Sequence, residues 1–215
     1  MEFLDLELIP ILLAAFTLTA CEKQADLDEL DGRYVVYTNH DPQTNFGNLS
    51  TYYLPDSILL IGNSEQPEYA TGQQAQEILQ SWADNMESRG FKRASQRNQA
   101  SLGLQVSYVE NSYHFTAIGW GGWGWDYPWY WGPDYWGMWG GWYYPFVVSY
   151  SYNTGTYLAE LVNLTAPQGE DKGLPVVWNT YMSGALSSST RLNTQIATDA
   201  VNEAFAQSPY LTCQP

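Results

Sequence analysis

Residues 119–146 read GWGGWGWDYPWYWGPDYWGMWGGWYYPF, and no other stretch of the chain limits its fold so strongly. Eight of the ten tryptophans fall here, among glycines at 119, 121, 122, 124, 132, 137, 140 and 141. Glycine in the middle of a helix or strand costs roughly 0.5–1 kcal/mol relative to alanine, so a regular element through this run is disfavoured. The run shows neither a two-residue nor a 3.6-residue apolar period. It is therefore expected to be a long loop, and a long loop in a compact domain is usually functional or disordered. Its only charges are Asp126 and Asp134. Three physical readings stay open. Stacked rings would build a satellite core, each aromatic pair adding about 0.5–1.5 kcal/mol beyond burial. Rings presented by Gly and Pro turns would form a recognition surface for a glycan or protein, with Trp123, Trp125, Trp129, Trp131, Trp136 and Trp139 as the candidates. Trp and Tyr would also suit a membrane head-group zone, although the lack of Lys and Arg counts against anionic lipid.

The segments on either side carry ordinary periodicities. RYVVYT (33–38) is a β-branched and aromatic strand closed by Asp41-Pro42, and Thr51–Leu54 is a second, stopped by Pro55. Ala75, Ile78, Leu79, Trp82 and Met86 share one face of a helix over 73–89. Thr71 and Gln74 are placed for a capping box at its start, and Gly90 for the C′ residue at its end. Residues 102–109 alternate, with Leu102, Leu104, Val106 and Tyr108 on one side, as a half-buried strand does. Beyond the aromatic run, 146–152 and 156–164 read as two strands of a hairpin turned at Asn153-Thr154-Gly155. A strand follows at 175–184, then an amphipathic helix from Leu192 to Phe205 that ends before Pro209. The order β-β-α-β-(aromatic insert)-β-β-β-α predicts an α+β two-layer sandwich: a mostly antiparallel sheet with two helices on one face. Trp82 and Trp178 are its expected core tryptophans.

The N-terminus carries an address. The apolar run Leu8–Ala20 is long enough for a signal-peptide core and too short to span a bilayer. It ends in Leu18-Thr19-Ala20-Cys21, which resembles the lipobox of bacterial lipoproteins. That resemblance implies removal of residues 1–20, lipidation of Cys21, and a cell-envelope location, most naturally the outer membrane. The preceding Glu2, Asp5 and Glu7, with no Lys or Arg, depart from the basic start of such signals. Residues 21–32 form an acidic tether, loosely similar to the surface-export signals of Bacteroidetes lipoproteins. Asp26, Asp28 and Asp31 do not form a calcium loop, because Leu30 stands where a ligand is needed. The segment 33–210 is expected to be one domain, with 211–215 as a tail.

Composition narrows the function classes. Removing residues 1–20 leaves twenty acidic against eight basic residues, a formal charge near −12. So acidic a chain repels nucleic acid. Cys213 has no CxxC partner, so it is expected to be an unreactive tail residue. His40 and His114 sit in no metal-ligating motif, no glycine-rich phosphate loop is present, and SGALSSST (183–190) lacks the nucleophile-elbow pattern. Asp126 and Asp134 are the paired acids an envelope enzyme acting on glycans through a Trp-rich cleft would need. That enzyme is the alternative to the leading reading. The leading reading is a non-enzymatic envelope lipoprotein, held at a membrane by its lipid, that binds an envelope protein or glycan without a cofactor or metal.

Dispersed pieces of the chain resemble one family. NFGNLSTYY (45–53), MESRGF (86–91), TYLAELVN (156–163), VVWNTYMSG (176–184) with Trp178, and DAVNEAFAQSP (199–209) occur in the order found in the bacterial lipoproteins of domain-of-unknown-function family 4136. Asn45 and Leu49 depart from that family's acidic and aromatic positions. The resemblance implies an envelope lipoprotein with a Gly/Trp/Tyr-rich insert before its late strands. It supplies no catalytic residues to carry over.

Overall fold

The structure, a computed structural model, describes residues 34–61, 67–110, 113–117, 142–146, 148–152, 155–166, 173–184 and 190–213. The chain divides into two compact units, Met1–Asp31 and Gly32–Pro215, and all described residues belong to the second. Its strands are β1 (Tyr34–His40), β2 (Thr51–Tyr53), β3 (Ile58–Ile61), β4 (Glu68–Ala70), β5 (Lys92–Arg93), β6 (Leu102–Val109), β7 (Tyr113–Ala117), β8 (Trp142–Tyr143), β9 (Val148–Tyr152), β10 (Thr156–Asn163) and β11 (Leu174–Gly184). Two helices, α1 (Gln73–Ser88) and α2 (Thr190–Ala206), complete the described elements, with single 3-10 turns at Phe46–Asn48 and Arg97–Gln99.

Nine strands form one mixed, mostly antiparallel sheet in the order β1-β11-β10-β6-β2-β5, to which β3, β4 and β8 attach laterally. The three long central ladders, β1–β11, β11–β10 and β10–β6, are antiparallel, whereas β2 and β3 run parallel to β6. Both helices lie on one face, which confirms the α+β sandwich. Leu102, Leu104 and Val106 of β6 and Ala159 and Leu161 of β10 meet the buried stripe of α1 and Ala197, Ala200, Val201, Ala204 and Phe205 of α2. Trp82 and Trp178 are 0% and 1% exposed at the centre of this cluster, edge to face with ring centroids 6.1 Å apart.

The helices run parallel, pinned near the start by Gln74–Thr194 and near the end by Asn85–Asn202. The expected capping box does not form, because the N-cap residue is Gly72, which has no side-chain oxygen, and not Thr71. Gln74 Nε2 donates to Thr194 Oγ1 at 3.3 Å, and α1 begins at Gly72 without a side-chain cap. At the other end Gly90 adopts φ 88°, with Gly90 N–H donating to Glu87 and Phe91 N–H to Met86. That is the Schellman closure, which needs a residue free to take a left-handed backbone.

Two strand expectations are corrected. β6 is buried on both faces rather than one, with Gln105 and Ser107 at 1% and 0% exposure. The reason is a second apolar cluster on the face away from the helices, built from Leu158 and Val162 of β10, Leu174 and Val176 of β11, and Tyr144. Nor do β9 and β10 form a hairpin. β10 is inserted between β6 and β11, while β9 pairs antiparallel with β7. The two ladders share one register: Val109 lies opposite Thr156, and Tyr113 opposite Tyr152, four residues further along each strand. Thus β6–β7 and β9–β10 are two long strands broken at the same level. Gly155 marks the break with φ 87°, its N–H donating to the Val109 carbonyl.

The C-terminal residues are docked rather than loose. Leu211 is fully buried, and Thr212 Oγ1 and Cys213 N–H both donate to the Arg89 carbonyl. Cys213 is a free, half-buried thiol packed against the core. Among the described residues no helix is long and apolar enough to cross a membrane.

Candidate functional site

Cys21 and the six tryptophans Trp123, Trp125, Trp129, Trp131, Trp136 and Trp139 lie outside the described residues, as do Asp126 and Asp134. What the structure shows is how the aromatic run is held. It leaves β7 at Ala117, which is paired with Val148, and returns at β8, where Trp142 and Tyr143 pair in parallel with Leu174 and Pro175 of β11. The last part of the run, read from sequence as loop throughout 119–146, therefore belongs to the domain from residue 142 onward. Tyr144 is 4% exposed and donates to a Glu160 carboxyl oxygen, and Phe146 stands edge-on to Tyr144 at 5.7 Å.

Glu160 is the centre of a polar row that sequence reasoning missed. It lies opposite Gln105 on β6 and Asn179 on β11, so the three side chains share the face away from the helices. All three are buried. Gln105 Oε1, Glu160 Oε2 and both amide atoms of Asn179 lack hydrogen-bond partners, as do Ser107 Oγ and Thr156 Oγ1 nearby. Burial pushes the Glu160 carboxyl up to about 8, against the opposing hydrogen bond from Tyr144. The acid is thus mainly protonated at neutral pH. The signal for this row was a glutamate inside the apolar run TYLAELVN, a position where a charge is costly unless paired or neutralised.

On the helix side, a cleft of about 560 Å3 opens where the first turns of α1 and α2 overhang the sheet. Ile58, Ile78, Met182, Ile196, Ala197 and Ala200 make its apolar floor. Tyr34, Tyr108 and Tyr157 form a wall, with the Tyr108 and Tyr157 rings 4.9 Å apart at 54°. Burial, then the neighbouring Tyr108, raises the Tyr157 hydroxyl to about 12; burial, then Glu110, raises that of Tyr108. Both phenols therefore stay protonated at neutral pH. Amides and hydroxyls of Gln73, Gln74, Asn193 and Thr194 edge the cleft, and Glu110 is the one charged residue among the described ones lining it. These residues come from seven elements separated in sequence, so no local motif announced them.

His40 takes no part in either feature; it stacks on Tyr210 at 3.7 Å, and burial lowers its pKa against the opposing charge of Asp41. Among the described residues no cluster of three or more His, Cys, Asp or Glu side chains is placed to hold a metal. The cleft can enclose an apolar body and offer hydrogen bonds; its described lining places no nucleophile beside a base.

The comparisons agree with this architecture. No curated protein matches the chain. The crystal structure of a DUF4136 family protein from Bacteroides thetaiotaomicron is similar over 86% of this chain and 100% of that one, with 47% identity and a TM-score of 0.73. The model of the family described as domain of unknown function (DUF4136) matches residues 36–210, nearly the whole of the folded unit. The chain belongs to the DUF4136 family.

Proposed function

We propose that the protein is a non-enzymatic, lipid-anchored binding module of the cell envelope, held through Cys21 and meeting an envelope protein or glycan with its Trp/Tyr-rich segment. The observation that carries this reading is the way the fold brackets that segment. β7 and β9 run in one register, so a turn of about two residues would close them. The chain instead places residues 118–147 between Ala117 and its partner Val148, and pins the return with β8 and Tyr144. A long aromatic loop tied down at both ends matches the use of rigid Trp and Tyr side chains as binding anchors. The LTAC sequence after an apolar run supports the anchor.

Two experiments test the reading. Labelling with an alkyne fatty acid should tag the wild-type protein and spare Cys21→Ser; equal labelling of both removes the anchor. Replacing residues 119–141 with a Gly/Ser linker of equal length should keep the melting transition and abolish in-cell cross-linking to envelope components. An unchanged cross-linking pattern would show that the segment is not the contact.

A further inference from the structure

We infer that the tyrosine-walled cleft between the helices and the sheet is a second binding site, built for a monomeric, uncharged amphiphile: an alkyl or acyl chain bearing a neutral hydroxyl- or amide-rich head. Its described lining includes no residue of the aromatic segment. Its size, about 560 Å3, falls within the range of about 300–1,000 Å3 typical of small-molecule pockets. Its chemistry is graded from floor to mouth. Isoleucine, alanine and methionine side chains at the bottom offer only dispersion contacts and dry surface to an apolar chain. Above them the tyrosine rings can lie against either an alkyl chain or the flat face of a head group. At the mouth stand neutral hydrogen-bonding groups, from Gln73 and Gln74 on α1 and Asn193 and Thr194 on α2.

Charge selects the head group. Among the described lining residues there is no Lys, Arg or His, and the single charge is the carboxylate of Glu110. A phosphate or carboxylate entering this mouth would lose water and meet no cation among the described lining residues, so its desolvation goes uncompensated there. A carboxylate already at the rim adds repulsion, in a chain whose formal charge is −15. A neutral head avoids both costs and can exchange hydrogen bonds with the four amide and hydroxyl side chains. A cationic head would be drawn by Glu110 alone, an exposed carboxylate whose attraction water and salt screen.

The site also has a rigid frame. The Gln74–Thr194 hydrogen bond ties α1 to α2 at the mouth, and the floor residues Ile58, Ile78, Met182 and Ala200 belong to the main core. The cleft is therefore a permanent feature of the packing of two parallel helices on the strand ends.

Three probes with one chain and different heads test the proposal by calorimetric titration below their micelle concentrations: octyl glucoside, octanoate and octylamine. Octyl glucoside should bind saturably at one site per chain, and octanoate at least about tenfold more weakly, a difference of about 1.4 kcal/mol. Ala200→Trp, which fills the floor, should abolish octyl glucoside binding. Glu110→Lys, an exposed change at the rim, should narrow or reverse the preference over octanoate without altering the melting temperature. If Ala200→Trp fails to fold, the Glu110→Lys comparison decides alone. No saturable octyl glucoside binding, or the same binding in a folded Ala200→Trp protein, overturns the proposal, as does a head-group preference untouched by Glu110→Lys or led by octylamine. The 119–141 linker variant should bind octyl glucoside like wild type, so failure here and failure of the aromatic-segment reading give different results.

Discussion

Glu160 shows how one residue can set a pH response for the molecule. Its carboxyl is wholly buried and titrates near 8 in the folded state, against 4.5 as its ordinary value. The folded protein thus keeps a proton that the unfolded chain releases across that window. Stability from this group is complete below about pH 4.5, falls as pH rises toward 8, and levels off above. The steepest slope is about 1.4 kcal/mol per pH unit. Glu160→Gln keeps the shape and an oxygen for Tyr144 while removing the ionisation, so its melting temperature should exceed that of wild type at pH 9 and approach it at pH 5. Parallel melting curves for the two proteins across this range would contradict the assignment. The core tryptophans belong to the same scale. Trp178 Nε1 donates to Ser208 Oγ at 2.9 Å, and its ring packs with Trp82 and Phe205. Trp178→Ala and Trp82→Ala should each cost about 3–5 kcal/mol in denaturant unfolding, because neither cavity can collapse against two helices and a sheet.

At the scale of elements, the aromatic run divides at residue 142. Two linker replacements separate the parts. Replacing 119–141 spares β8 and Tyr144; replacing 119–146 removes them and leaves Glu160 buried without its hydrogen-bond donor. The longer replacement should lower the melting temperature by several degrees more, since an unsatisfied buried polar group costs about 1–3 kcal/mol. Equal melting of the two would show that Tyr144 contributes nothing. Gly155 makes a second test. Its φ of 87° is open to glycine and costly for other residues, so Gly155→Ala should destabilise by about 1–2 kcal/mol. The loss should appear in hydrogen exchange at the Gly155–Val109 contact, between the end of β9 and the start of β10, while α1 keeps its protection.

For the whole molecule, the sheet serves two roles on two faces. The helix face carries the large apolar core and the tyrosine-walled cleft. The other face carries the Glu160 row and receives the returning end of the aromatic run. The proposed ligand of the cleft and the proposed partner of the aromatic segment would then be held by different residues. Simultaneous loss of octyl glucoside binding and of envelope cross-linking on replacing 119–141 would refute that separation.

The sequence by itself determined the helices, the long strands and the family. α1 and α2 have apolar stripes at 3.6-residue spacing, β11 carries the β-branched and aromatic residues Val176, Val177, Trp178, Thr180 and Tyr181, and Trp82 and Trp178 stand at positions that such patterns bury. These are local signals, fixed by the period of the backbone. The family resemblance drew on the same segments in the same order. Tertiary structure alone decided strand partnership. Asn153-Thr154-Gly155 has a turn's composition whether it closes a hairpin or breaks a long strand, and only the shared register of β6–β7 with β9–β10 distinguishes the two. The short strands β3, β4, β5, β7 and β8 were likewise invisible, being two to five residues long and held by partners elsewhere in the chain. The cleft and the Glu160 row share that physical origin. Each is assembled from side chains whose proximity depends on which strands lie side by side, and no spacing within one segment encodes that choice.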